Sequence, residues 1–267
     1  MLRRMGTRAK KSLGQNFLVD QAVLEIIIRA AQVGGEDNVI EVGPGLGILT
    51  SGLAERAGKV VAVEKDDALA NSLRGSMANR KNVSVLTGDI LRVAPWEYVG
   101  DGYKVVASLP YNIASPTVRR FLSSPRPPKL MVVMVQREVA EEIIAPPGRM
   151  RLLSVMVQYY AEAEIVANVQ PHSFYPPPKV ISAVLRLVPR GGATGEDPKA
   201  FFDFVAAGFR QPRKQLSNSL GQGLNVSPVE AAGYLSSAGI DPRRRAETLS
   251  LDEWRMLWKT VRPQESL

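Results

Sequence analysis

The chain contains no cysteine and a single histidine, His172. The first absence excludes disulfides, thiolate metal sites and cysteine nucleophiles. The second excludes histidine-cluster metal sites and ordinary serine–histidine–aspartate catalysis. No apolar run approaches the length of a bilayer span. The basic N-terminus, MLRRMGTRAKK, lacks the apolar segment that would follow in a secretory signal. The chemistry left open needs little proton transfer near neutral pH, or borrows a cofactor. Among 267 residues, 45% are hydrophobic and 22% charged, which suits a globular protein with a sizeable core. The net charge of +8 suits a polyanionic partner, nucleic acid being the commonest. That charge is clustered. Arg3, Arg4, Arg8, Lys10 and Lys11 form one group, Arg210, Arg213 and Lys214 a second, and Arg243, Arg244 and Arg245 a third.

The first two-thirds of the chain alternates short apolar runs with amphipathic stretches. VIEV (39–42), VVAVE (60–64), VSVL (83–86), KVVASL (104–109) and LMVVMVQ (130–136) read as strands. They are β-branched and nearly continuous in hydrophobicity, as in a parallel sheet covered on both faces. Helical patterns lie between them at roughly 20–32, with Asp20 as N-cap, and at 47–57, 66–78 and 115–124. This alternation predicts a doubly wound α/β sheet. EIVANV (164–169) and VISAVLRLV (180–188) are separated by little more than FYPPPK, too little for a helical crossover, so they should pair antiparallel. PRGGATGEDPK (189–199) reads as a linker, and the pattern after it is helical throughout. The expected organisation is a domain over 1–190 and a small helical domain over 191–267.

The strand VIEV runs into Gly43-Pro44-Gly45-Leu46-Gly47. Glycines at a strand-to-helix turn allow a tight bend and close approach to a ligand. The spacing is GxGxG rather than the GxGxxG of dinucleotide binders, and Pro44 removes a backbone donor. Both features argue against a pyrophosphate cradle and for a nucleoside without phosphate, such as S-adenosylmethionine. Glu64 ends the next strand, 17 residues after Gly47, where a carboxylate can accept both ribose hydroxyls. Asp89, after the third strand, is placed to accept from an adenine amine.

Ser108-Leu109-Pro110-Tyr111 follows the fourth strand and fits the pattern [Asn/Asp/Ser]-x-Pro-[Tyr/Phe] of amino-methyltransferases. An adenine exocyclic amine is a poor nucleophile because its lone pair is delocalised. Acceptors aimed at its N–H groups, here the Ser108 side chain and the Leu109 carbonyl, favour a pyramidal nitrogen and stabilise the charge that develops on it. Pro110 stiffens the turn, and Tyr111 can stack on the base. Phe174, in the rigid stretch Phe174-Tyr175-Pro176-Pro177-Pro178-Lys179, can cover the other face of an extruded base. His172 beside it reads as a surface residue.

Taken together these stretches resemble the KsgA/RsmA family of 16S ribosomal RNA adenine dimethyltransferases. The resemblance rests on KKSLGQNFLVD (10–20), VIEVGPGLGILT (39–50), VEKD (63–66), GDIL (88–91), LPYNIASP (109–116), VQREVAEEI (135–143) and FYPPPKVISAV (174–184). FRQPRKQLSNSL (209–220) and RRRAETLSLDEW (243–254) continue it in the C-terminal part. It implies a Rossmann-like class I methyltransferase sheet, mostly parallel with an antiparallel last strand, followed by a small all-helical domain. It implies cofactor contacts from Asn16 and Leu18 in the N-terminal arm. It adds Lys65, Ile90 and Ser108 to Gly43, Gly45, Glu64 and Asp89 as cofactor-binding positions. The implied reaction moves four methyl groups from S-adenosylmethionine to two adjacent adenosines in a loop near the 3′ end of 16S RNA. It leaves S-adenosylhomocysteine and needs no metal. The implied setting is the immature 30S subunit in the cytoplasm, with a monomeric enzyme, no membrane, and a role as a late assembly checkpoint. Arg3, Arg4, Lys10, Lys11, Arg210, Arg213 and Lys214 are the expected RNA-phosphate contacts. The family usually carries Asn where this chain has Ser108, so the rate and the completeness of double methylation turn on that position. Three other readings are a 23S RNA adenine methyltransferase of the same architecture, a weakly catalytic ribosome-assembly factor and a nucleotide-dependent oxidoreductase. The loop spacing and Pro44 disfavour the last.

Overall fold

A computed structural model describes residues 14–191 and 197–261. The elements are β1 (Phe17–Leu18), α1 (Gln21–Ala31), β2 (Asn38–Val42), α2 (Ile48–Ala54), β3 (Lys59–Glu64), α3 (Asp67–Ser76), β4 (Val83–Thr87), β5 (Lys104–Ser108), α4 (Ala114–Leu122), β6 (Leu130–Gln136), α5 (Arg137–Ile143), α6 (Leu152–Tyr160), β7 (Ala161–Val169), β8 (Phe174–Tyr175), β9 (Ser182–Pro189), α7 (Pro198–Gly208), α8 (Leu216–Leu224), α9 (Pro228–Ser237) and α10 (Leu251–Val261). The five expected parallel strands and the four expected helices before residue 125 all form, with ends shifted by a few residues.

Seven strands form one sheet in the order β4-β3-β2-β5-β6-β9-β7. β4, β3, β2, β5 and β6 run parallel, and β9 is antiparallel to both β6 and β7. The antiparallel pairing expected for the last two strands therefore holds, and β9 inserts between β6 and β7. The chain reverses its direction of winding between β2 and β5, the place where doubly wound sheets bind ligands. A core of Leu24, Ile27, Ile28, Val39, Leu53, Val60, Val106, Val132 and Val184 packs α1 and α2 onto the sheet. Each such side chain contributes about 1.5–3 kcal/mol by leaving water.

Two local devices fix the two edges of the sheet, beginning at its carboxyl edge. Asp20 caps α1 by accepting from the Ala22 and Val23 amides. Its other oxygen accepts from the Ser173 hydroxyl at 2.8 Å. At the opposite edge, Asp37 is buried between the ammonium groups of Lys104 (2.8 Å) and Lys129 (2.7 Å). Burial pushes its carboxyl up, but the two lysines overcome this and hold it at about 2.

The chain forms two compact units. Residues 14–141 and 160–189 make the first, and 142–159 with the described residues from 190 onward make the second. A single boundary near residue 190 is thus incomplete, because α6 leaves the sheet unit and returns at β7. Its apolar face explains the departure. Tyr159 stacks on Phe201 at 5.3 Å and meets Phe202 edge-on, within an aromatic core completed by Phe204, Trp254 and Trp258. The second unit is helical, as expected, with no strand among its described residues.

Candidate functional site

A cavity opens at the carboxyl ends of β2, β3 and β5, lined by residues from stretches scattered between Gly14 and Phe174. The loop after β2 supplies Gly43 and Gly45, at φ +65° and +56°. A side chain at Gly45 would begin 2.8 Å from the Phe17 ring, so glycine is required both by conformation and by space. The Gly45 amide is turned away from any external phosphate and donates to Glu64 Oε2 at 3.1 Å. Glu64 Oε1 accepts from the Asp66 amide at 2.9 Å. The carboxyl is buried, which pushes its pKa up. The carboxylate, with about four acceptor sites, retains room for a hydroxyl donor beyond these amides.

Asp89 Oδ1 accepts from the Leu91 amide at 2.9 Å, and Oδ2 pairs with Lys65 Nζ at 2.8 Å. The Lys65 ammonium holds Asp89 ionised by lowering its pKa. Lys65, Gly88 and Ile90 line the same cavity. The arm contributes Asn16, whose amide group donates to the Gly14 carbonyl at 3.4 Å, and Phe17. Leu18 differs from the rest. It does not line this cavity, and its side chain is buried in the core.

The tetrad sits on the other wall. Ser108 ends β5 opposite Met134, and the Leu109 amide donates to the Met134 carbonyl at 3.0 Å. No hydrogen bond to the Leu109 carbonyl occurs among the described residues. The Ser108 hydroxyl has no hydrogen-bond partner among the described residues. Tyr111 opens a short 3-10 turn (Tyr111–Ile113) before α4. Its hydroxyl lies 2.7 Å from Ser182 Oγ on β9, which fixes the ring, and burial raises its pKa. Phe174 lines the same cavity while remaining part of the core. His172 is exposed, as expected for a surface residue.

Four features of the site were not singled out from the sequence. One is the pairing of β1 with β8, which seats Leu18 against Phe174 and Phe17 against Tyr175. Two-residue strands leave no periodic signal. The others are Phe17, Ser182 and Glu41. Ser182 lies inside the FYPPPKVISAV stretch, so its motif was visible though its bond to Tyr111 was not. Glu41 lies within VIEV, where it reads as part of a strand. It is buried beneath the glycine loop, and Oε2 has no partner. Burial and the nearby Glu64 charge raise its pKa to about 8, and the nearby Thr50 hydroxyl offsets only part of this.

Of the expected phosphate contacts, Arg210, Arg213 and Lys214 are all exposed, on the loop between α7 and α8. Arg3, Arg4, Lys10 and Lys11 lie outside the described residues. The third basic group is largely committed within its own unit. Arg243 pairs with Asp241, Arg244 with Glu253 and Arg245 with Glu247. No group of three or more acidic or histidine side chains suited to a metal occurs among the described residues. No helix among them is long and apolar enough to cross a membrane.

A glycine turn that brings the backbone close, a buried ribose-type carboxylate and a second carboxylate one strand further suit a nucleoside-bearing cofactor without phosphate. Together with the sheet order they define an S-adenosylmethionine-dependent class I methyltransferase. The chain belongs to the ribosomal RNA adenine dimethylase family, whose pattern matches residues 6–262. It is 46% identical over 254 residues to a ribosomal RNA small subunit methyltransferase A from Dehalococcoides mccartyi, covering 94% of this chain and 87% of the relative. It is 44% identical over 276 residues to the protein of the same name from Moorella thermoacetica, covering 98% and 95%. Among solved structures it is similar to the 23S rRNA methyltransferase ErmE, with TM-score 0.73, 29% identity and coverage of 92% and 99%. A dimethyladenosine transferase from Plasmodium falciparum shares the fold, with TM-score 0.78, 24% identity and coverage of 90% and 95%.

Proposed function

We propose that this chain dimethylates the exocyclic amines of two adjacent adenosines in the loop near the 3′ end of 16S rRNA. The observation that carries this is one cavity bringing the glycine loop, Glu64 and Asp89 together with Ser108, Leu109, Tyr111 and Phe174. The 46% and 44% identical relatives bear small-subunit names, which favours this target over 23S RNA.

Glu64 accepts the ribose hydroxyls, and Asp89, kept ionised by Lys65, accepts an adenine amine. Asn16 closes the cavity from the arm. S-Adenosylmethionine, when bound, supplies an electrophilic methyl group and leaves as S-adenosylhomocysteine. The residues on the opposite wall prepare the nucleophile. Ser108 Oγ and the Leu109 carbonyl accept from the target amine's N–H groups, drawing the nitrogen lone pair out of conjugation. Tyr111, anchored by Ser182, and Phe174 cover the base. Such stacking is worth roughly 1–3 kcal/mol per base and offsets the cost of extrusion. The methylated nitrogen is cationic and releases its proton to water, so no histidine is required.

The setting is the immature 30S subunit in the cytoplasm, met by a monomer that binds no membrane and also serves as a late assembly checkpoint. Arg210, Arg213 and Lys214, with the N-terminal cations Arg3, Arg4, Lys10 and Lys11, hold flanking phosphates. Ser108, in place of the family's usual Asn, favours one second reading, a checkpoint factor with slow or incomplete transfer. Incubation with labelled S-adenosylmethionine and unmethylated 30S subunits, 50S subunits or free RNA tests both. Label in two adjacent 16S adenosines is the expected result. Label in 50S RNA alone overturns the assignment, and tight 30S binding without transfer leaves the checkpoint reading. Tyr111→Ala and Phe174→Ala should each slow transfer at least tenfold while cofactor affinity by calorimetry stays within a few-fold, given the stacking energy at stake.

A further inference from the structure

A second concave feature lies on the sheet unit, outside the cavity just described. It is a groove of about 450 Å³ between α4 and the segment that follows β4, lined by Leu91, Trp96, Pro116, Arg119, Arg120, Ser123, Ser124 and Pro125. Three properties distinguish it from an ordinary surface crease. No carboxylate lines it, while two adjacent arginines do. Of the acids nearby in the chain, Asp101 pairs with Arg126 and Asp89 with Lys65, while Glu97, next to Trp96, is exposed and does not line the groove. Arg119 is exposed and makes no ion pair among the described residues.

The second property is rigidity. Arg120 is held by Nη2 donating to the Val93 carbonyl at 2.7 Å, and its guanidinium lies 5.1 Å from the Trp96 ring centroid. Trp96 is fixed in turn by an edge-on contact with Phe121 at 6.1 Å. Arg120 Nε is buried and has no acceptor. A stacked arginine–tryptophan pair from two different elements is already ordered before any ligand arrives, so little entropy is lost on binding. Arginines in the last turn of α4 also offset the negative end of that helix. That accounts for two positive charges, but not for a tryptophan brought across from another segment to form the opposite wall.

The third property is nearness in the chain to the residues of the cavity. Leu91 follows Ile90, and Pro116 lies three residues after Ile113, both of which line the cavity. From Pro116 to Leu122 the groove follows α4 for about 9 Å at the helical rise per residue, and Ser123, Ser124 and Pro125 carry it on past the end of the helix. That is the reach of two or three nucleotides of an extended strand. Cationic side chains that track a backbone, interleaved with a flat aromatic and prolines, are the recognition pattern for single-stranded nucleic acid.

We infer that this groove binds the RNA strand adjoining the target adenosines, with Arg119 on a phosphodiester and Trp96 with the prolines against the neighbouring bases. The inference rests on the RNA-methyltransferase reading and extends it by naming where the strand runs. The first test uses the full chain and Arg119→Glu, whose exposed position leaves folding intact. Binding to unmethylated 30S subunits should weaken about tenfold, and the slope of log affinity against log salt should fall by about one. Melting temperature and cofactor affinity by calorimetry should match wild type. Lys81→Glu, on an exposed cation outside both the groove and the cavity, should change 30S binding less than twofold. The second test cross-links 4-thiouridine-substituted 16S RNA in 30S subunits to the wild-type protein. Cross-linked peptides should map to 91–96 or 116–125. Wild-type affinity and salt slope in Arg119→Glu, cross-links confined to other segments, or a ribosomal protein occupying the groove would each overturn the inference. If wild-type protein binds and methylates 30S subunits in those cases, the groove assignment alone fails. If it does neither, the RNA-methyltransferase reading fails with it.

Discussion

Ser108 carries the most consequence of any single side chain. It stands at the end of β5 with its hydroxyl free, beside Leu109, whose amide donates to Met134 while its carbonyl has no donor among the described residues. A hydroxyl offers one short acceptor where an amide reaches further. Ser108→Ala should therefore lower kcat about tenfold, the effect of losing one hydrogen bond of ~1 kcal/mol or somewhat more, with cofactor affinity little changed. Ser108→Asn should match or exceed wild type in single-turnover transfer to 30S subunits. Complete inactivity of that variant would show a site tuned to serine. Glu41 makes a different kind of statement. Its folded pKa is about 8 against 4.5 for the free side chain. Between those values the folded protein holds a proton that the unfolded chain has lost. The associated stability is fully present below pH 4.5 and drains away as pH rises through about 8. Denaturant melts from pH 5 to 9 should show this decline, and Glu41→Gln should flatten it. Nothing in VIEV marks the third residue as buried beneath a glycine loop. Alternation along a strand covered on both faces does not distinguish an inward acid from an outward one.

At the scale of elements, the site depends on a junction of short pieces. The two residues of β1 pair with the two of β8, Val19 donates to the Ser173 carbonyl, and Asp20 accepts from the Ser173 hydroxyl while capping α1. One aspartate thus links the start of α1 to the turn that presents Phe174. Asp20→Ala should cost about 1 kcal/mol for the lost cap, read as a lower melting temperature. It should also slow methyl transfer beyond that stability loss, because Phe174 and Phe17 lose a shared anchor. Transfer unchanged in a variant that melts earlier would reduce Asp20 to a helix cap. The cap itself was legible, since Asp before an amphipathic run is a helix start. The link to Ser173 was not, because it spans 153 residues. The excursion of α6 was illegible for the same reason. LLSVMVQYY shows an apolar face, but only the aromatic cluster around Phe201 identifies what that face meets.

Across the whole molecule, net charge and its arrangement set how a polyanion is met. The excess of positive charge was visible at once, but the arrangement was not. Arg243, Arg244 and Arg245 look in sequence like the densest phosphate grip, yet each has an acid partner within the helical unit. Arg210, Arg213 and Lys214 are exposed on one loop and make no ion pair among the described residues. Replacing these three with Gln should reduce the salt dependence of 30S binding by about three units of slope and leave cofactor affinity unaltered. A slope unchanged within error would move RNA contact to other surfaces.

The class of fold, the order of strand and helix, the glycine turn with its two following carboxylates, and the Ser108–Tyr111 tetrad were legible along the chain. Each of these is written in contiguous residues, through periodicity, turn chemistry or a short motif. Only the tertiary structure decided which distant pieces meet. It placed Phe174 and Tyr111 in one cavity, bound Tyr111 to Ser182, buried Glu41, sent Leu18 into the core and drew Asp20 to the Phe174 turn. The reason is physical. Local sequence fixes backbone preference and which face of an element is apolar. The partner of that face, and the solvent exposure of each polar group, emerge only when the sheet closes and separate segments compete for the same space.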